Sequence, residues 1–424
     1  MTDAAIAVVG ASAAGLTVAE ALRRGGYRGR LSLVGAEPRV PYERPPLSKR
    51  VLTGATPPED TAIRDAGYLE KELALDLRLG VRATGLDVSG TTRRLTLETG
   101  EHLDCDAVVV ATGVRPRALP GTEGIDGVHV LRTLDDAVAL RESLLTGGDL
   151  VVVGGGVLGT EVAAAGRTLG LRVTLVTEER ETLGAVIGSE LGGLVAQVHR
   201  AHGVTVHTGR TVTGIPSCDG RVTGVCLDGG LRIAADTVVL AIGSVPVTDW
   251  LADSGLDVAD GVVCDAQCRA APGVLAAGDV ARWWHPHHDR TLRVEHRMNA
   301  SEQGMAVARN LILALDSPGT PALAYTPVPY FWSDQYNWRL QAYGVVAGAD
   351  RVEVLHCDAG AWDEVPPRAL ALYGDGERAL GVVGIGLHPA AARALRGAVA
   401  GDASGPVPWG RALDIASAAN DGNW

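Results

Sequence analysis

Two stretches pair an apolar run with closely spaced glycines. Residues 5–15 read AIAVVGASAAG, which gives Gly10-x-Ser12-x-x-Gly15, and residues 151–161 read VVVGGGVLGTE, which gives Gly154-x-Gly156-x-x-Gly159. At such a loop the first glycine allows a tight turn and the second lets a pyrophosphate approach the backbone. The third lets helix and strand pack closely, and the helix N-terminus faces the phosphate charge. Ser12 replaces the middle glycine of the first copy and is small enough to keep the approach open; Ala13 and Ala14 complete that loop, as Val157 and Leu158 complete the second. One loop of this kind is a weak signal, but two in one chain are not. An acid about 20 residues beyond the glycines, at the end of the next strand, binds a ribose hydroxyl, and Glu37 stands there in LSLVGAE. In the second copy that place holds Thr177, followed by Glu178 and Glu179. An adjacent carboxylate still takes a ribose 2′-hydroxyl and repels a 2′-phosphate, which favours NADH, while Arg180 leaves NADPH open.

The loops need strands and helices to hold them, and the order of elements supplies these twice. The first copy runs strand, loop, helix to Arg24 and strand, then VPYERPPLSK (40–49), whose prolines exclude helix until after Pro46 and which presents Arg44, Ser48 and Lys49. Residues 73–101 read as a small antiparallel element with turns at Gly80, Gly90 and Gly100. AVVVATGVRP then reads as a buried strand closed by Thr112-Gly113 and stopped by Pro116. The second copy repeats the order with a helix expected over 160–169, the strand LRVTLVT, further hairpin strands, and TVVLAIGSVP as its close. The chain is thus an internal duplication of two dinucleotide-binding units. GVLAAGDVARWW follows as a strand ending at Gly278-Asp279, then an amphipathic helix from about Asn299 to Leu315 with Met305, Val307, Ala308, Leu311, Ile312 and Leu315 as its apolar positions. A boundary falls in SPGTPALAYTP; short strands and the helix PAAARALRGAVAG come after it, and AANDGNW reads as a loose tail. The expected class is α/β, with two Rossmann-like domains of the glutathione-reductase kind and a C-terminal α+β domain. The expected divisions are 1–115 with 245–322, then 116–244, then 323–424.

Composition narrows the functions. A net charge of −12 argues against nucleic acid as the main partner. The N-terminus has no basic, apolar leader pattern, and no apolar run is long enough to span a bilayer, so a cytoplasmic protein with no membrane partner is expected. The six cysteines include no C-x-x-C, and Cys264 and Cys268 read as small buried hydrophobes. Trp283-Trp284-His285-Pro286-His287-His288 reads as an exposed loop without the acid or cysteine pattern of a metal site, and no metal is expected.

Two dinucleotide sites suggest FAD held through the cycle and a nicotinamide nucleotide that delivers a hydride and leaves. The chain resembles the FAD-containing, NADH-dependent ferredoxin reductases that serve oxygenases and cytochromes P450, of the putidaredoxin reductase and rubredoxin reductase type. The resemblance spans nearly the full length, on VVGASAAG, PYERPPLSK, ATGVRPRALP, VLRTLDDA, VVVGGGVLGTEVAA, LAAGDVA, RVEHRMNASEQG and PYFWSDQY. It implies that Gly10 to Gly15 bind the FAD pyrophosphate and Glu37 its ribose, and that Arg44, Pro45 and Lys49 lie along the flavin. Lys49, close to flavin N5 and paired with Glu161, would be the catalytic pair. Ala83, Ala111, Thr112, Gly113, Arg132, Gly278 and Asp279 would be further FAD contacts, and Trp332 would sit near the ring. Gly154, Gly156, Val157, Leu158, Gly159, Glu178, Ile242 and Gly243 would hold the nicotinamide nucleotide. Arg297 stands where some relatives have tryptophan, which alters either nicotinamide stacking or the docking surface.

The same two-unit architecture also serves disulfide reductases. Without a cysteine pair the electrons should leave the flavin directly. The cysteine spacing fits no iron–sulfur cluster in this chain, so the acceptor is another protein. The expected partner is a small acidic ferredoxin feeding an oxygenase or cytochrome P450, steered by Arg293, Arg297, Arg309 and Arg339. The runner-up is an enzyme of the same fold acting on a small organic substrate or oxygen, for which the Thr177 and Arg297 departures leave room; a redox-sensing interaction protein ranks third.

Overall fold

The computed structural model describes residues 4–317, 319–358, 367–401 and 405–421. Among them the α-helices are α1 (Ala13–Arg24), α2 (Leu134–Leu145), α3 (Val157–Thr168), α4 (Gly184–Ala201), α5 (Arg297–Asp316), α6 (Pro389–Leu395) and α7 (Trp409–Asp421). Chain contacts define two compact units. The first takes the chain up to Glu43, Thr61–Arg115 and Val245–Pro327; the second takes Arg44–Asp60, Pro116–Ser244 and the chain from Val328 onward.

In the first unit a six-stranded sheet has the order Arg269–Ala271, Val274–Ala276, Ala107–Val110, Ile6–Val9, Leu31–Gly35, Asp76–Leu79. All neighbours are parallel except the first pair. Ile6–Val9, Leu31–Gly35 and Ala107–Val110 are buried at every position, as parallel strands covered on both faces must be, hence their apolar sequences; the one polar residue, Ser32, donates its hydroxyl to Asp76 Oδ2 at 2.9 Å. The expected antiparallel element is smaller than its sequence: Asp76–Leu79 joins the parallel sheet, and the antiparallel sheet is Ala83–Asp87, Arg93–Leu97 and His102–Cys105. α5 starts at Arg297, and its inward face is carried by Val307, Ala308 and Leu311, whereas Met305 is 46% exposed. Trp283 and His285 are not on an exposed loop. They lie on the strand Ala281–His285, paired with Arg290–Arg293, and both are buried while Trp284 faces out. Period-two alternation explains this: a tryptophan and a histidine two apart share one face.

In the second unit five parallel strands run in the order Thr205–His207, Arg172–Val176, Asp149–Val153, Thr237–Leu240, Val128–His129. Four of them repeat the order of the first sheet, so the duplication read in the sequence is a duplication of topology. α3 begins at Val157, earlier than expected, because Gly156 already acts as its N-cap. An antiparallel sheet ordered Tyr330–Gln335, Trp338–Gly344, Arg378–Ile385, Arg368–Asp375, Arg351–Asp358 completes this unit. Its alternating faces bury different cores. Leu340, Ala342, Ala369, Ala371 and Tyr373 pack on Ile187, Leu191 and Val195 of α4. Tyr343, Leu370, Leu372 and Val382 pack on α6 and α7 through Leu395, Ala412 and Ala416. The expected tail is partly helical, since α7 runs to Asp421; residues 422–424 of that tail lie outside the described residues.

Candidate functional site

The two glycine loops have one geometry. Gly10 has φ +122° and Gly154 φ +116°; a Cβ there would lie 2.0 Å from the Ala111 carbonyl oxygen and 2.1 Å from that of Ala241. A Cβ on Gly15 or Gly159 would lie 1.9 Å from the carbonyl oxygen of Gly10 or Gly154. These four positions therefore admit glycine alone, and each loop is locked against the strand on the far side of the switch point.

Gly156 differs: a Cβ there meets nothing within 4 Å. It faces open space. Neither Ser12 nor Gly156 makes a side-chain cap to its helix, and neither α1 nor α3 has an acid in its first turn. By contrast α2 has a complete capping box from Thr133 and Asp136, with Asp135 and Asp136 in its first turn. The first turns of α1 and α3 thus place no carboxylate against an incoming anion, a feature they share with α4 and α5.

The first unit gathers most of the expected FAD set. Ala14 lies under Gly278, whose Cβ would come 2.9 Å from the Ala14 Cβ, and the Gly278 N–H donates to Gln303 Oε1 at 2.9 Å. The Thr112 hydroxyl donates to the Val247 carbonyl at 2.7 Å, and Gly113 accepts from the Val247 N–H at 3.0 Å. Ala13 is the first residue of α1, and Asp279 follows Gly278 with its carbonyl 3.3 Å from Arg293 Nη1. Glu37 accepts a hydrogen bond from the Tyr42 hydroxyl, which orients its carboxylate just past the second strand. Ala83 opens the separate antiparallel sheet. Arg297 is held by Glu43 through two nitrogens at 2.6 Å each, and donates a third bond to Ser301 at 2.7 Å. The structure thus spends its guanidinium on a bidentate carboxylate rather than on an open face.

The second unit holds the rest. Arg44 Nη1 donates to the Arg132 carbonyl at 2.6 Å, which ties two expected residues together, and Arg132 N–H is bound by Asp136 at 3.0 Å. Just beyond Pro45, a single helical turn over Leu47–Val51 presents Lys49. Its ammonium lies 2.7 Å from Glu161 Oε2 and 3.2 Å from the Pro45 carbonyl. The Ser48 hydroxyl reaches the same carboxylate oxygen at 2.5 Å, and Ser333 reaches the other at 2.7 Å. Glu161, 5% exposed, is a buried charge with an ammonium and two hydroxyl donors around it. Val157 and Leu158 open α3. Ile242 and Gly243 close the strand Thr237–Leu240, with the Gly243 carbonyl accepting from Arg117 N–H at 3.0 Å. Trp332 stacks on Tyr330 with centroids 5.9 Å apart. Thr177 is buried beside Gly155, and the Glu179 carboxylate caps the Ala185 N–H at 3.0 Å. Glu178, between them, is exposed. Ser333, Gln335, Thr160 and His199, all buried, are not singled out by the sequence, whereas Ser48 is named there only as part of the loop that carries Lys49. The signal for two of them is the inward face of PYFWSDQY, which is polar at Ser333 and Gln335 where a core strand is usually apolar.

Three of the four arginines expected to steer a partner are compensated. Arg293 pairs with Asp260 and Glu295, Arg297 with Glu43 and Arg339 with Asp334. These pairs neutralise the surface there, and only Arg309 of the set lacks a carboxylate partner among the described residues; it donates to the Leu323 carbonyl at 3.4 Å. Among the described residues no group of three or more His, Cys, Asp and Glu could hold a metal ion, and no helix is long and apolar enough to cross a membrane.

All six cysteines are free thiols, with Cys105, Cys264 and Cys268 buried. Burial pushes Cys105 up to about 11 and Cys268 up to about 12, and raises Cys264 as well. The expected outcome is that a thiol reagent at neutral pH modifies the exposed Cys218 and Cys357 quickly, and that NADH-driven dye reduction survives the treatment. Loss of that activity on modification would restore a sulfur relay.

Residues 4–304 match the family described as pyridine nucleotide-disulphide oxidoreductase, and residues 330–408 match the reductase C-terminal domain. Rhodocoxin reductase of Rhodococcus erythropolis is 37% identical over 81% of this chain and 79% of its own length. Putidaredoxin reductase of Pseudomonas putida is 34% identical over 82% of each. Among solved structures, the ferredoxin reductase for the CYP199A2 system of Rhodopseudomonas palustris superposes with a TM-score of 0.87 at 30% identity, covering 98% of both chains. The covalent putidaredoxin reductase–putidaredoxin complex superposes with a TM-score of 0.86 at 30% identity, covering 100% of both. With two equivalent glycine loops, a lysine paired to a buried glutamate and six free thiols, the chain belongs to the pyridine nucleotide-disulphide oxidoreductase family, in the branch of FAD-dependent ferredoxin reductases that carry the reductase C-terminal domain.

Proposed function

We propose that this enzyme takes a hydride from NADH onto FAD and passes the electrons to a ferredoxin-type iron–sulfur protein that feeds an oxygenase or cytochrome P450. The observation that carries the reading is the doubled loop geometry together with six free thiols: two loops share the geometry of a dinucleotide-binding turn, and no cysteine is paired to serve as a sulfur relay. The proposed division is 1–115 with 245–322 for FAD, 116–244 for the nicotinamide nucleotide, and 323–424 as an interface domain. The proposed setting is the cytoplasm, where NADH is supplied.

In the first unit the α1 N-terminus and Gly10–Gly15 would hold the FAD pyrophosphate, Glu37 the adenosine ribose, and Asp279 the ribityl chain. When bound, FAD accepts a hydride and releases electrons singly. In the second unit Gly156 and the α3 N-terminus would hold the dinucleotide pyrophosphate, and Glu178 its ribose. Lys49 supplies a fixed positive charge, held in place by Glu161 and the Pro45 carbonyl, to stabilise negative charge as it develops on the ring.

The test is NADH-driven reduction of cytochrome c through an added ferredoxin. Ferredoxin-dependent turnover is the expected result. Oxidation of NADH by a small organic substrate, with no response to any ferredoxin, would overturn the reading in favour of the runner-up. A companion measurement concerns the nucleotide: Glu178→Ala should raise the KM for NADH roughly 10-fold or more, since a charge-assisted hydrogen bond contributes about 1.5–3 kcal/mol, and should narrow the preference over NADPH. An unchanged ratio of kcat/KM for the two nucleotides would remove Glu178 from the ribose site.

A further inference from the structure

Behind the lysine–glutamate pair, buried side chains of the second unit are linked head to tail. Ser333 Oγ lies 2.7 Å from Glu161 Oε1; Gln335 Nε2 lies 3.0 Å from Ser333 Oγ and 3.0 Å from Thr160 Oγ1. His199 Nε2 lies 2.9 Å from Gln335 Oε1, and the Tyr336 hydroxyl 3.1 Å from His199 Nδ1. Thr160, His199, Ser333 and Gln335 are each no more than 1% exposed.

The protons in this chain have one permitted arrangement. An ionised carboxylate only accepts, so Ser333 turns its single O–H toward Glu161 and its oxygen is left to accept. Thr160 spends its O–H on the Gly156 and Val157 carbonyls at 3.1 and 3.0 Å, so its oxygen also accepts. Gln335 faces two acceptors and must present its amide nitrogen to both, which leaves Oε1 toward His199. His199 must then carry its proton on Nε2 and accept from the Tyr336 O–H on Nδ1. A neutral ring is what the site demands, and burial pushes the His199 pKa down to about 4.

We propose that Gln335 and His199 are positioning residues for hydride transfer: they hold Ser333 as a fixed O–H donor and so fix the orientation of the Glu161 carboxylate that in turn holds Lys49. This rests on the reading of Lys49 and Glu161 as the catalytic pair. The chain crosses from α4 to the Tyr330–Gln335 strand to α3, so the second nucleotide loop is braced by the C-terminal sheet through polar contacts as well as apolar ones. A fully satisfied polar network of this kind selects one arrangement, which an apolar core of equal stability does not.

The first measurement needs no turnover. Nitrogen-15 NMR of the FAD-loaded enzyme at neutral pH, with the His199 signal assigned by its loss in His199→Gln, should show a neutral ring protonated on Nε2. A ring protonated on Nδ1, or an imidazolium, overturns the proposal. The second measurement is stopped-flow flavin reduction by NADH. Gln335→Leu and His199→Leu should each lower the limiting rate about tenfold, the equivalent of one well-placed hydrogen bond, while NADH binding is unchanged. His199→Gln, which can still donate to Gln335, should recover most of the rate although it too alters the core. If His199→Gln is as slow as His199→Leu, the role is structural and the proposal falls. If Glu161→Gln leaves the rate intact, the reading of the catalytic pair falls; if Glu161→Gln is slow and Gln335→Leu is not, only the present inference falls.

Discussion

Lys49→Met should slow flavin reduction by NADH about 10²–10³-fold, the range seen when one preorganised group that stabilises developing charge is removed. The side chain is 17% exposed and its ammonium sits 2.7 Å from a carboxylate that is itself 5% exposed, so the charge is held and partly shielded from water, where it acts strongly. The variant carries a second cost. Among the described residues Glu161 keeps Ser48 and Ser333 as donors, and breaking an ion pair around a buried charge from one side destabilises by about 3–5 kcal/mol. The thermal midpoint should therefore fall along with the rate. Lys49→Met/Glu161→Leu separates the two effects: removal of both charges should recover stability without recovering rate. Stopped-flow absorbance and a thermal melt of the same preparations check both. A folded, FAD-loaded Lys49→Met with a normal reduction rate would take the lysine out of the catalytic machinery.

The second large effect is expected at Gly156. Its backbone, φ −75° and ψ −172°, is open to any residue, and a Cβ meets no heavy atom within 4 Å. Gly156→Val should therefore fold, retain FAD and melt near the parent. NADH affinity should nevertheless drop about 10²-fold or more, because the new side chain occupies the space before the α3 N-terminus and two charge-assisted hydrogen bonds contribute about 1.5–3 kcal/mol each. Gly159→Ala provides the contrast. Its Cβ would stand 1.9 Å from the Gly154 carbonyl oxygen, so it should damage folding of the unit before it reports on the nucleotide. Equilibrium titration with NADH and the FAD-to-protein ratio measure both variants, and unaltered NADH binding in Gly156→Val would mean that this loop does not carry the pyrophosphate.

These effects bear differently on how much could be read from the chain alone. The glycine loops and their strands were legible because their demands are local. A turn with φ near +120° and a carbonyl 2 Å from the missing Cβ can be met only by glycine, and a strand buried on both faces is apolar at nearly every position. Boundaries were less legible. α3 starts at Val157 because glycine can serve as an N-cap, which composition does not announce. Asp76–Leu79 resembles the alternating strands after it, yet pairs with Leu31–Gly35 in the parallel sheet. Trp283 and His285 were misread as exposed because a histidine-rich run looks polar, whereas the hairpin turns alternate residues inward.

By itself the sequence determined the two glycine loops, the duplicated order of strands and helices, and the lack of a C-x-x-C pair, since each follows from neighbours a few residues apart. Only the tertiary structure decided what surrounds Glu161. Ser48 is 113 positions away and Ser333 is 172, and the His199–Gln335 bond spans 136. The tertiary structure likewise decided that the guanidinium of Arg297 is held by Glu43, at a separation of 254. The physical reason is that a hydrogen bond depends on distance and direction in space: one sequence leaves open many partners for a buried polar group, and only the packing of separate elements leaves it one.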